Sequence, residues 1–180
     1  ILEESGGAKK IAQTFIDTFG QGHSSWALGI TGLVIGTTVF FEAGVVVLIP
    51  LAFSVASQTK KSTLYYGIAL LAGLAAGYAF VPPSAGSVLV AGTLGVDLST
   101  MILVGIPTAF IAMAIAGVIW GRNVGGRIFT DVPEHFTSAE GASDEKELPS
   151  FGMVLAIVLT PLCLILLGTL SSYIPMPAEL

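Results

Sequence analysis

The sequence predicts an all-α integral membrane protein with transmembrane helices, one re-entrant hairpin and one broken helix. Three observations carry that reading. Hydrophobic residues make up 53% of the chain and charged residues only 11%, where soluble domains carry roughly 25% charged residues. Two apolar stretches, 26–57 and 64–96, fit neither one straight crossing nor two, since a crossing takes about 20 helical residues. The chain also holds 22 glycines. In water each would cost a helix about 1 kcal/mol against alanine. In lipid, where nothing competes for the backbone, glycine lets helices approach closely.

Taken in order, residues 1–25 place Ile11, Phe15, Ile16 and Phe19 on one side of a helix, with Lys9, Lys10, Gln13 and Asp17 largely elsewhere. They read as an amphipathic, interfacial helix or the end of a preceding span. The stretch 26–57 is broken by Thr37, Thr38 and the run from Phe40 to Gly44. After Lys60 and Lys61, the stretch 64–96 is interrupted by Val81–Ser87. Residues 101–121 and 150–172 each fit one crossing, and 122–149 is an acidic loop expected on the cytoplasmic side.

Charge decides between topologies. The seven basic residues are Lys9, Lys10, Lys60, Lys61, Arg122, Arg127 and Lys146. The segments near 97–100 and 173–180 contain none, and short cytoplasmic loops collect Lys and Arg. If 26–57 enters and returns as a re-entrant hairpin while 64–96 crosses once with a break, every base lies inside. If 26–57 crosses instead, Lys9 and Lys10 face the opposite side from Lys60 and Lys61. The hairpin is the simple assignment that satisfies the rule throughout.

Two places in this scheme can hold chemistry. Glu42 is the one ionisable group in 26–57, and the hairpin puts it near the tip, at membrane depth. An intramembrane carboxylate can take up a proton or pair with a cation. In the broken helix, Pro82 and Pro83 remove two backbone donors, and Ser84, Gly86 and Ser87 supply hydroxyls and backbone freedom. Such an interruption survives where protein or a cavity satisfies the freed backbone groups, and exposed helix ends then face ions or anions. With Thr37 and Thr38 at the hairpin tip, the expected binding set is Thr37, Thr38, Glu42, Pro82, Pro83, Ser84, Gly86 and Ser87.

Other features read as structural. Gly29, Gly32 and Gly36 suit close helix packing. Asp97 suits an N-cap for a helix beginning near Leu98. Trp26, Trp120 and Tyr173 suit interfacial anchors, and His23 and His135 lie in polar segments. A single cysteine, Cys163, allows no internal disulfide, and no metal-ligand spacing occurs. No basic patch for nucleic acid, phosphate-binding loop, nucleophile elbow or zinc motif is present. No cofactor is expected, and neither is an enzyme.

With those residues in view, the chain resembles the gluconate permease family, proton-coupled symporters for sugar acids within the ion transporter superfamily. The resemblance rests on EESGGAKKIAQTFIDTFG (3–20), FFEAGVVVLIPLAFSVA (40–56), FVPP (80–83), AGTLGVD (91–97) and GIPTAFIAMAIAG (105–117). It implies half of an inverted-repeat transporter, mainly its first repeat, in the plasma membrane. The implied substrate site lies between hairpin tip and helix break. The implied passenger is gluconate or a related small organic anion moving with a proton, Glu42 being the expected proton carrier. A sodium-coupled carrier or cation/proton antiporter of the same superfamily, and a non-transporting membrane subunit, are the alternatives. A homo-oligomer is a possible state. The sequence departs from the family's double-proline pattern at Tyr78 and Ser84, where relatives carry histidines.

Overall fold

The computed structural model describes residues 23–133 together with 156, 160, 163–165 and 167. Its helices are α1 (Ser24–Gly36), α2 (Phe41–Thr59), α3 (Thr63–Phe80), α4 (Ala85–Leu94) and α5 (Leu98–Ala112). α5 runs through a wider π-helical segment (Met113–Ile119) into α6 (Trp120–Arg127). No strand occurs among the described residues. The amphipathic segment expected over 1–25 lies, up to Gly22, outside the described residues. So do most of the acidic loop over 122–149 and most of the span over 150–172.

α3 is the central helix because both of its faces are apolar. Tyr66, Leu70 and Leu74 are fully buried against Leu28 and Ile35 of α1 and Leu48, Ala52, Val55 and Ala56 of α2. On the other face, Ala69 and Ala76 pack with Ile102 and Ala109 of α5, Met113 and Val118.

Glycines set the α1–α3 contact. A Cβ on Gly73 would strike the carbonyl oxygen of Gly29, one on Gly77 that of Leu33, and one on Gly36 that of Leu74. The two backbones touch, as small-residue interfaces allow in membranes. Positions ascend together along both helices, so α1 and α3 run parallel. The turn at Thr37–Phe40 then reverses the chain. Gly44 at the start of α2 meets the Leu74 side chain, and the end of α2 leads through Lys60–Ser62 into the start of α3. α1 and α2 are therefore antiparallel, with both outer ends beside the first turn of α3. Ser25 Oγ donates to the Tyr65 carbonyl at 3.4 Å.

The long helix made of α5, the π-helical segment and α6 returns along the other face of α3. Gly105 abuts the Phe80 carbonyl, Gly117 packs on Ala69 and Ala72, and Gly125 presses on Tyr65. At that end Ser62 Oγ donates to the Ile128 carbonyl at 2.9 Å and accepts from Thr130 N–H at 3.1 Å. Thr63 N–H donates to the Thr130 carbonyl at 3.0 Å.

Among the described residues, three helical runs are long and apolar enough to cross a bilayer: Phe41–Thr59 (19 residues), Thr63–Leu94 (32 residues) and Leu98–Arg127 (30 residues). The third exceeds the expected 101–121 at both ends, because helical hydrogen bonding need not stop at the edge of the apolar run. Arg122 and Arg127 consequently stand on a helix rather than in a loop. Leu103, Val104, Ile111, Ile115 and Ile119 are exposed, a continuous apolar surface that monomeric soluble proteins rarely present.

Candidate functional site: the hairpin turn and the helix break

Two interruptions of the chain lie at one level of α3. The first, Thr37–Phe40, ends α1 and starts α2. The second, Val81–Ser84, separates α3 from α4 and contains a cis peptide bond between Pro82 and Pro83. Phe40, on the turn, meets Tyr78, one helical turn before the prolines, with ring centroids 6.2 Å apart. Gly77 fits against Leu33 and Gly36 at the end of α1. The end of α1 and the turn beside it thus lie against the last turn of α3.

Each interruption brings a helix end of either sign. α1 and α3 end here with their carbonyl ends, where the Ile35 carbonyl accepts from Thr38 and Val39 N–H and the Gly77 carbonyl from Val81 N–H, and α2 and α4 begin here with their N–H ends. α2 has no side-chain cap, and Glu42 stands exposed in its first turn, at the end where the helix dipole favours negative charge. α4 is capped by Ser84, whose Oγ accepts from Ser87 N–H at 3.4 Å. Its first N–H groups, on Ala85 and Gly86, have no acceptor within the helix. A Cβ on Gly86 would meet nothing within 4 Å, so this turn opens onto free space.

The hydroxyls at these places are engaged within the chain. Thr37 Oγ1 donates to the Val34 carbonyl at 2.8 Å, and Thr38 Oγ1 to the Ile35 carbonyl at 3.3 Å. Ser84 and Ser87 are both buried. Their hydroxyls lie 2.7 Å apart, and Ser87 Oγ donates to the Ser84 carbonyl at 3.0 Å. With that proton used, Ser84 donates to Ser87, and both hydroxyl protons are occupied. The donors that stay open are backbone N–H groups. Pro82 is buried and Pro83 half-buried, so the prolines form the wall of the break.

Two site-level features had no signal in the sequence. The Phe40–Tyr78 contact joins positions far apart in the chain, and apolar pattern says nothing about which aromatic rings meet. The fit of Gly105 under the Phe80 carbonyl, which seats the break on α5, was equally hidden in a glycine-rich chain.

The architecture is that of a multi-pass helical membrane protein with paired chain interruptions beside a central helix. The chain belongs to the GntP permease family: the model described as GntP family permease matches residues 1–179. A gluconate permease of Pseudomonas aeruginosa is 39% identical over 172 residues, covering 95% of this chain and 38% of that protein. The D-serine transporter DsdX of Escherichia coli is 37% identical over 172 residues, covering 95% and 38%. A low-affinity gluconate transporter of Escherichia coli is 36% identical over 172 residues, covering 96% and 38%. The chain spans 38% of the length of each of these relatives. No solved structure matches it.

Proposed function

We propose that this chain forms one half-site of a secondary active transporter that takes up gluconate or a related small organic acid with protons across the plasma membrane. The observation that carries the reading is the contact of the hairpin turn with the helix break, made by Phe40 and Tyr78 at 6.2 Å. Single structural kinks need no partner. Two interruptions side by side supply open N–H groups at the starts of α2 and α4 for an anion, as in transporters with broken helices. The names of the relatives, gluconate permease and D-serine transporter, favour a small carboxylate-bearing passenger.

In this reading residues 26–57 are the re-entrant hairpin of an inverted-repeat fold, a topology supported by both its ends lying beside the first turn of α3. The carboxylate binds the first turn of α4, at Ala85 and Gly86, with Pro82 and Pro83 shaping the wall. Ser84 and Ser87 hold that turn in place. Thr37 and Thr38 stabilise the hairpin tip and present their oxygen lone pairs. Glu42 carries the proton, since the positions of both family histidines are Tyr78 and Ser84 here.

The test is uptake of radiolabelled gluconate and D-serine by the full-length protein in proteoliposomes, with and without an inward proton gradient and with sodium replaced by choline. Proton-driven uptake in wild type and its loss in Glu42→Gln, at equal membrane abundance, is the expected result. Uptake that follows sodium, or a Glu42→Gln variant with unchanged pH dependence, rejects the coupling assigned here.

A further inference from the structure

At the opposite end of the bundle from the helix break, charge is left over. Lys60 caps α2 in a left-handed conformation (φ 53°), and Arg127 lies in the last turn of α6, so each matches a carbonyl end of a helix. Lys61 and Arg122 do not. Both are exposed and converge on one side chain: Lys61 Nζ lies 4.8 Å and Arg122 Cζ 5.9 Å from the centre of the Tyr65 ring. Arg122 Nε donates to Tyr65 Oη at 2.7 Å, which fixes the guanidinium and, among the described residues, leaves its terminal N–H groups without a carboxylate partner. α3 starts here with no acidic residue in its first turn, so the positive end of its dipole adds to the two cations. Among the described residues no carboxylate makes an ion pair with either one.

Two like charges held around one ring repel, an arrangement that a bound anion would relieve. Its position, at the end of two spanning helices, is the depth of phospholipid headgroups. Tyrosine is a residue of that layer, and basic groups between helix ends bind anionic headgroups. We propose that Lys61, Tyr65 and Arg122 form a binding site for the phosphodiester headgroup of an anionic phospholipid. Arg122 takes the phosphate oxygens through its planar fork, Lys61 closes on the charge, and Tyr65 holds both cations in place. The bound lipid clamps the start of α3 to α6, leaving the helix break at the other end untouched.

The full-length protein in neutral detergent is titrated with phosphatidylglycerol, with phosphatidylcholine of the same acyl chains, or with inorganic phosphate. Melting temperature and lipids retained in native mass spectrometry are read together. Phosphatidylglycerol is expected to raise the melting temperature and remain bound, while phosphatidylcholine and inorganic phosphate do neither. Lys61→Gln and Arg122→Gln should each weaken lipid retention roughly fivefold, since each basic group adds a comparable increment at a charged surface. Lys61→Gln leaves the Arg122–Tyr65 hydrogen bond in place and guards against simple misfolding. Equal retention of both lipids, or of phosphatidylglycerol in wild type and variants alike, overturns the proposal. Stabilisation by inorganic phosphate equal to that by phosphatidylglycerol also overturns it. So does a loss of stability in the variants that is the same without anionic lipid, which assigns the cations an internal partner.

Discussion

Phe40 on the hairpin turn and Tyr78 at the end of α3 stand with ring centroids 6.2 Å apart, tilted at 49°, and they tie the two interruptions of the chain together. An aromatic pair of this geometry contributes about 0.5–1.5 kcal/mol beyond its buried area. Because Phe40 is largely exposed, the contact acts on the position of the turn more than on the core. A double-mutant cycle with Phe40→Ala and Tyr78→Ala should show coupling of about 1 kcal/mol in thermal stability. Additive effects would mean that turn and break are held independently. Tyr78→His, which restores the residue type of the family pattern, tests whether the ring's packing or its chemistry governs uptake.

The glycine seam between α1 and α3 is the least tolerant part of the fold. Gly73→Ala should destabilise by roughly 1–3 kcal/mol, the usual cost of overpacking, because the added Cβ meets backbone of Gly29 and Leu33 rather than a side chain that can turn away. Gly92→Ala, in α4, meets nothing within 4 Å and should be neutral or stabilising by helix propensity. Melting curves of both variants in the same detergent check the pair.

Ser84 closes the N-terminus of α4, so Ser84→Ala should loosen that turn by about 0.5–2 kcal/mol and lower uptake. Ser84→Asn, which retains a cap acceptor, should recover the stability. Hydrogen exchange at Ala85–Val88 reads the cap directly. Unchanged protection in Ser84→Ala would show that the prolines alone set the start of the helix.

Asp97 caps α5 from the loop after α4. Hydrogen bonds from Ser99 and then from the side chain and N–H of Thr100 hold its carboxyl down at about 2. A carboxyl whose folded value lies below its unfolded value of 3.8 stabilises the fold above that value. The contribution is lost as pH falls from there through about 2. Asp97→Asn should flatten the acid limb of a melting-temperature profile over that window and leave the neutral region nearly unchanged. A steep acid limb retained in the variant would place the proton uptake elsewhere.

Topology can be read by labelling in a Cys163→Ser background. His23→Cys and Gln58→Cys should react with an impermeant maleimide from one side of the membrane, and Val96→Cys from the other. Reaction of His23→Cys and Gln58→Cys from opposite sides would remove the re-entrant hairpin and its tip from the proposed site.

What the residues determined by themselves is local. The scarcity of charge set the solvent, since lipid admits few ionic groups and demands that helices satisfy their own backbone. Pro82 and Pro83 stopped a helix because they have no N–H to donate, and Asp97 started the next because its carboxylate reaches the N–H of Thr100. Length and the placement of lysines raised the hairpin reading. The tertiary structure decided which helices touch and how. Gly29 and Gly73 meet backbone to backbone, and Phe40 reaches Tyr78 only because that seam brings the hairpin turn level with the end of α3. It also showed that the hydroxyls of Thr37, Thr38, Ser84 and Ser87 are already bonded within the chain, leaving backbone N–H groups as the open donors. Periodicity records which face of a helix is apolar, but not which neighbour fills it. Contact between distant positions depends on shape, and shape exists only once the helices have packed.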